Sequence, residues 1–343
     1  MPHGPVVSLN TPDVSLLGLE VTGANPYDAL TDVVRDPNMH DKTLPPSVSS
    51  SPAIIPREKL DFDLNGDIPR FWFGGDPFKT RLFDALSSVF PEGERYFITC
   101  VRDYRDQVTD PKLIQDIKDF MRQEGQHSKI HGDYNQRLKA QGMPVDEVEA
   151  FTRKGLFGVL RKYLPQSTTL AHTAALEHLT ASLADLLLQA PHHVADMDPR
   201  MRALYIWHGM EEVEHKAVAF DVMQQVAHAG YVRRILPFLF ASIAFPFNTM
   251  MILSAMLRRD GFSAWQRARI MAKGFVWLYR PGGFLWTFWR PYLSYFKPGF
   301  HPWHKGQDVS YGLWAKIMEE TGDPLLAGAA VMPSRTSSQP QTA

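Results

Sequence analysis

The chain has 343 residues, 44% of them hydrophobic, and a formal net charge of −1. That length supports one main domain with an appended region, and the balanced charge excludes a global field that would draw nucleic acid. A single cysteine, Cys100, excludes an intramolecular disulfide and a Cys-rich zinc site and agrees with a reducing compartment, so His and carboxylate residues must carry the chemistry.

Residues 1–60 are rich in Pro, Ser, Asn and Asp, lack a sustained period and read as an extended, partly disordered arm. Pro45–Pro52 is its linker signal. No basic start leads into an apolar run, so no signal peptide is expected. Residues 67–77 form an aromatic lead-in suited to capping a bundle.

The first helix is predicted from Pro77 to Val108, with the stripe Phe83, Leu86, Phe90, Glu94, Phe97, Val101, Tyr104 and Val108. The Pro91–Gly93 step is expected to kink or break it just before Glu94. A second helix starts at Pro111 with Asp110 as its cap. Its stripe is Leu113, Ile117, Phe120, Glu124, His127, His131, Tyr134 and Leu138, and Gly142 and Pro144 end it. Residues 144–164 form a connection with a helical pattern of their own. The third long helix, Ser167 to Gln189, carries Leu170, Ala174, Glu177, Ala181, Ala184 and Leu188 on one face. The fourth, Pro199 to Ala229, carries His208, Glu212 and His215 at spacings of four and three, which places all three on one face among core-type residues.

Burying these groups without partners is costly, and a metal ion removes the cost. The stripes together hold Glu94; Glu124 and His127; Glu177; Glu212 and His215. One Glu from each of two helices plus a Glu-x-x-His from each of the other two is the ligand plan of dinuclear carboxylate sites in ferritin-like bundles. Four carboxylates neutralise most of the charge of two cations, and an imidazole on each leaves positions open. His208 stands on the same face one turn before Glu212; that it is a further metal ligand is what a resemblance to di-iron N-oxygenases, which have a third histidine ligand, implies. Glu211, His131 and Tyr134 are the outer-shell candidates, and Glu92 is the alternative to Glu94 if the helix begins in another register.

Here the chain resembles di-iron N-oxygenases of the p-aminobenzoate-oxidising type, in which a third histidine lies four residues before the last Glu-x-x-His, as His208 does before Glu212-x-x-His215. Their Asp-Glu pair is Glu211-Glu212 here. The stretch from Phe71 to His304 also resembles a bacterial family of predicted metal-dependent hydrolases. The residues that carry this likeness are Phe90-Pro-Glu-Gly-Glu-Arg-Tyr-Phe97, Glu124-Gly-Gln-His-Ser-Lys-Ile-His131, Ala175-Leu-Glu-His178, Trp207 to His215, and Gly299-Phe-His-Pro-Trp303.

From Ile235 to Leu257 there is no charged residue, a length that matches a bilayer. Pro237, Pro246 and Asn248 argue against one clean span. Between Tyr231 and Phe300 there are ten Lys or Arg and a single acid, Asp260, interleaved with Trp residues. This suits a monotopic or re-entrant membrane contact; the alternative is packing on the bundle or on a second copy.

The expected fold is all-α: a ferritin-like four-helix bundle (61–230) with a crossover connection, then a hydrophobic, basic, Trp-rich helical region (231–324) and a disordered tail (325–343). The expected activity is that of a di-iron oxygenase acting on an apolar or amphipathic substrate with dioxygen and an external electron donor. Manganese–iron is the other redox pair. The alternative is a hydrolase using zinc or manganese at the same ligands. The expected place is the cytoplasmic face of the membrane, with a soluble cytoplasmic protein as the alternative, and a homodimer is weighed.

Overall fold

The computed structural model describes residues 53–304 and 309–332. The Pro45–Pro52 linker, most of the N-terminal arm and the tail from Ser334 lie outside the described residues. Every regular element among them is a helix, and an isolated bridge pairs Phe73 with Met197. The all-α expectation holds.

Each bundle helix starts as its sequence dictates. Asp76 accepts from the Lys79 N–H, and Pro77 opens α1 (Pro77–Arg102). Asp110 accepts from the Lys112 N–H, and Pro111 opens α2 (Pro111–Ala140). Neither proline forfeits a helical bond, because first-turn N–H groups have no intrahelical partner. Gly142 follows α2 at a φ of +81°, the left-handed conformation that glycine adopts freely. The connection then forms α3 (Val145–Arg153), continued by a π-helical segment, Lys154–Leu160. Two further helices complete the bundle: α4 (Gln166–Gln189), and α5 (Pro199–His215), which Asp198 caps. α1 packs on α2 and α4, and α5 on α4 and α2. Residues 141–165 therefore join diagonal corners, the crossover of ferritin-like bundles.

Three boundaries differ from the sequence expectation. α1 continues unbroken through Pro91. Proline cannot donate to the carbonyl four residues earlier, but Asn135 Nδ2 of α2 donates to that carbonyl, Ser87 O, at 3.0 Å. The freed acceptor is satisfied, and the helix is not broken. α1 then stops at Arg102, and Arg105–Gln107 forms a 3-10 turn. α5 stops at His215 rather than Ala229. After a turn at Lys216 and Ala217, Val218–Asp221 is helical and Val222–Val226 π-helical. The turn lets the Lys216 ammonium lie 4.1 Å from the Trp303 ring centroid while Val218, Phe220 and Val222 enter the core.

The long apolar stretch is one helix, α6 (Tyr231–Arg259), unbroken at Pro237 and Pro246. It packs on α1 and α4, burying Ile235, Phe238, Ala241, Ile252, Leu253 and Met256. It is long and apolar enough to cross a membrane by length and composition. α7 (Ala264–Tyr279) leans on α1 and α6, and α8 (Trp289–Ser294) on α4. Phe238, Tyr295 and Phe300 share one core cluster with Tyr96, Phe120 and Leu170 of the bundle. Beyond Trp303, α9 (Val309–Thr321) precedes α10 (Pro324–Ala330). The tail expected to be disordered from 325 is thus helical as far as Ala330. Gly328 explains the docking: a Cβ there would meet Ala203 Cα of α5 at 2.9 Å, so only glycine allows the approach.

Candidate metal centre

Glu94 of α1, Glu124 and His127 of α2, Glu177 of α4, and His208, Glu212 and His215 of α5 all point into the bundle. All are buried, His208 being the most accessible at 5%. Spacings of three and four bring them to one level. His208 Nε2 lies 3.2 Å from Glu212 Oε1 and 4.0 Å from Glu94 Oε1. His215 Nε2 lies 3.0 Å from Glu124 Oε1, 3.5 Å from Glu177 Oε2 and 3.6 Å from Glu212 Oε1. His127 Nδ1 lies 3.8 Å from Glu212 Oε1. The donor atoms fall into two groups, Glu94–His127–His208 and Glu124–Glu177–His215. A third, Glu124–His127–Glu212, joins them; within each the atoms lie within 4.8 Å of one another. These overlapping groups are candidate places for metal ions, and Glu124 and His127 each belong to two of them.

The polar accounting favours cations. Glu94 Oε1, both carboxylate oxygens of Glu124 and of Glu177, both ring nitrogens of His127, His215 Nε2 and, just outside them, Glu211 Oε2 are buried without a hydrogen-bond partner. Buried polar atoms are otherwise nearly always paired. Burial, and then repulsion among the carboxylates, pushes Glu94 and Glu177 well above the usual carboxylate range. Burial also raises Glu124, against the pull of His215. Glu212 goes the other way: burial opposes its charge, but contacts with His208 and His215 hold it well below that range. Burial keeps His127 and His131 neutral, the form that binds metal.

His208 and His215 each turn one nitrogen inward and give the other an outward partner, as metal-ligating imidazoles do, whereas neither nitrogen of His127 is hydrogen-bonded. His127 Nε2 faces Glu211 Oε2 at 3.2 Å. His208 Nδ1 lies 2.7 Å from His131 Nε2, and His131 Nδ1 lies 2.9 Å from Ser87 Oγ, which donates to Asn135 Oδ1 at 2.9 Å. His215 Nδ1 meets Gln123 Oε1 at 2.9 Å, and Gln123 Nε2 donates to Glu214 Oε2 at 2.6 Å. Arg57 then ties Glu211 (3.0 Å) to Glu214 (2.7 Å) and stacks over Trp314. Among the carboxylates, Glu94 Oε2 accepts from Ser128 Oγ at 2.9 Å, and Glu212 Oε2 accepts from Thr180 Oγ1.

Of the outer candidates, Glu211 and His131 touch the donor histidines. The substitution of Glu for Asp at 211 keeps a carboxylate on His127. Tyr134 does not reach the donors. Its hydroxyl donates to Asp84 at 2.6 Å and accepts from Trp72 Nε1 at 2.7 Å, a separate buried group completed by Arg81. Glu92 faces away, paired with Arg95 and Arg153. His178 bonds the Pro291 carbonyl at 3.0 Å. Sequence reasoning passed over Gln123, Ser128, Thr180 and Ser87, which stand off the apolar stripes. Arg57 was assigned to the arm, and nothing near it in sequence signals its role.

A cavity of about 490 Å³ reaches the centre. Its floor is His208, Gly209, Glu212 and Thr180, and its walls are apolar, with Leu86, Phe90, Leu183 and Leu187 among them. Exposed Pro246, Tyr279 and Trp289 stand at its mouth.

A family model described as "predicted metal-dependent hydrolase" matches residues 56–306. No curated protein and no solved structure matches the chain.

Proposed function

The chain belongs to the predicted metal-dependent hydrolase family, and from that membership we propose a hydrolase with a two-cation centre acting on an apolar organic substrate. The ligands would be Glu94, Glu124, His127, Glu177, His208, Glu212 and His215. The observation that carries the reading is the cavity: it is apolar along its walls and includes His208 and Glu212 in its lining, so a molecule filling it meets the donor cluster. A divalent cation there supplies Lewis acidity and lowers the pKa of water. The chain supplies the rest. Glu124 would contribute to holding the cations with both Glu177–His215 and His127–Glu212. The His131–Ser87–Asn135 series sets the tautomer of His208 so that Nε2 presents its lone pair inward. Thr180 orients Glu212, and Leu183, Leu187 and Phe90 exclude bulk water from the substrate.

A second reading rests on a different observation. Four buried carboxylates and imidazoles from paired Glu-x-x-His motifs are also the donor set of oxygen-activating di-iron bundles. The same ligands would then hold iron, and dioxygen and an external electron donor would be required. Metal analysis of natively purified protein separates the two. Zinc or manganese near two equivalents, with metal-dependent cleavage of p-nitrophenyl esters, supports hydrolysis. Iron with a visible charge-transfer band and reductant-dependent oxygen uptake overturns it in favour of the second reading.

A further inference from the structure

We infer that the outer face formed by α6, α7 and the Trp286–Leu293 segment docks on an anionic lipid bilayer, and that the cavity takes acyl-chain substrates directly from it. The second half rests on the cavity being the substrate site, as proposed above.

The outward side of α6 is an apolar stripe. Val232, Leu236, Ile243, Phe247 and Met251 are 65%, 61%, 72%, 66% and 59% exposed. Their span is about 28 Å of helix at 1.5 Å per residue. Exposed apolar area of this extent marks a contact surface rather than ordinary solvent-facing residues. The stripe continues around the cavity mouth. Pro246 is next to Phe247. Tyr279 of α7 lies one turn beyond exposed Val276, and Trp289 lies between exposed Trp286 and Leu293. Mouth and stripe are one surface.

Its charge selects the partner. Arg233, Arg269, Lys273, Arg280, Arg290 and Lys297 are exposed. The single acid between Tyr231 and Phe300, Asp260, is already held by Arg70 and Arg81 at 2.6 and 2.7 Å. Cations without offsetting acids, interleaved with Trp and aliphatic residues, match an anionic headgroup layer over acyl chains. The other side of α6 is packed on α1 and α4, so this helix lies along the bilayer surface and does not cross it. A lipid tail leaving the headgroup layer would pass Trp289 and Pro246 and end at Glu212.

The test uses the full-length protein and vesicles of phosphatidylcholine with or without 30 mol% phosphatidylglycerol. Wild type is expected to sediment with the anionic vesicles at 0.15 M salt, and I243E/F247E to lose at least tenfold in partition while keeping its circular dichroism. Wild type left in the supernatant overturns docking; if it is then a dimer that I243E/F247E converts to monomer, the face covers a second copy instead. The cavity is probed separately by quenching of Trp emission on addition of cis-parinaric acid. Leu183→Trp, which fills the cavity, is expected to weaken that binding at least tenfold while leaving vesicle binding unchanged. Equal binding by wild type and L183W overturns the acyl-chain assignment. Neither readout requires turnover, so a failure of the hydrolase reading shows itself apart from a failure of this one.

Discussion

His131 Nε2 sits 2.7 Å from His208 Nδ1, with the His208 Nε2 atom on the far side of the ring aimed at Glu212 and Glu94. One ring nitrogen is thereby committed to a protein partner and the other left for a cation. The series continues through Ser87 to Asn135, which makes the proton positions directional: His208 donates to His131, His131 to Ser87, and Ser87 to Asn135.

His131→Phe removes the acceptor while keeping the ring volume. The expected result is a drop in metal affinity of about 10- to 100-fold, the usual effect of deleting such a partner, together with a loss of about 1–3 kcal/mol in the metal-free protein from the stranded His208 Nδ1 and Ser87 Oγ. Competition against a chelator of known affinity measures it. Wild-type affinity in H131F would show that the orientation of His208 comes from packing against Phe90 alone.

Arg57 is the cation that balances Glu211 and Glu214, with its side chain only 10% exposed and both carboxylates at 0%. Burial already pushes Glu211 up to about 8 against the pull of Arg57. Arg57→Ala strands two buried acids and is expected to destabilise the fold by about 3 kcal/mol, read as a lowered urea midpoint at unchanged slope. The loss should be larger at pH 8 than at pH 6: without Arg57 the buried Glu211 carboxyl is raised further, so the folded chain holds a proton that the unfolded chain releases, and unfolding gains as pH rises. A loss that does not grow with pH would show that the cost is the missing packing on Trp314.

What could be read from the chain and what could not divide along physical lines. Glu94, Glu124, His127, Glu177, Glu212 and His215 each interrupt an apolar helical stripe, so the helical period marks them; His208 shares that face, and its role as a ligand comes from the resemblance to di-iron N-oxygenases; Asp110 with Pro111 marks the start of the second bundle helix. Helix propensity does not register rescue from another helix. Pro91 read as a break because Asn135, 44 residues away, is invisible to local pattern. α5 stops at His215, and the turn that follows sets Lys216 against Trp303, 87 residues away in the chain and outside local pattern. Arg57 and Gly328 belong to segments read as disordered, since a short arm or tail that folds onto an existing core needs few apolar residues of its own. The di-iron expectation followed from ligand types, which several metals share; the family description names hydrolysis.

The rescue of Pro91 is a double-mutant experiment. Asn135→Ala leaves Ser87 O buried without a donor and is expected to cost about 1–3 kcal/mol. Pro91→Ala restores the helical N–H that bonds Ser87 O. In the P91A/N135A protein the cost of losing Asn135 should therefore shrink by about 1 kcal/mol relative to the Pro91 background. Chemical denaturation of the four proteins closes the cycle. Additive losses would mean that Ser87 O is satisfied in some other way.

His172 sets an acid limit on the fold. It is 6% exposed, its ring lies 5.7 Å from both Tyr96 and Phe240, and its Nδ1 has no hydrogen-bond partner. Burial holds it at about 4, against an ordinary value of 6.5. The folded chain thus binds this proton less readily than the unfolded chain does. Its contribution to stability is complete above pH 6.5 and is lost as pH falls from there to 4, by roughly 3 kcal/mol in all. Phenylalanine fills the same apolar position without a charge to bury. His172→Phe is expected to match or exceed the stability of the wild type at pH 7 and to lose less of it by pH 4.5, while the metal ligands contribute equally to both proteins and cancel in the difference. Urea unfolding at half-unit steps between pH 4.5 and 7.5 gives the two curves, and curves that stay parallel would place the acid sensitivity elsewhere in the molecule.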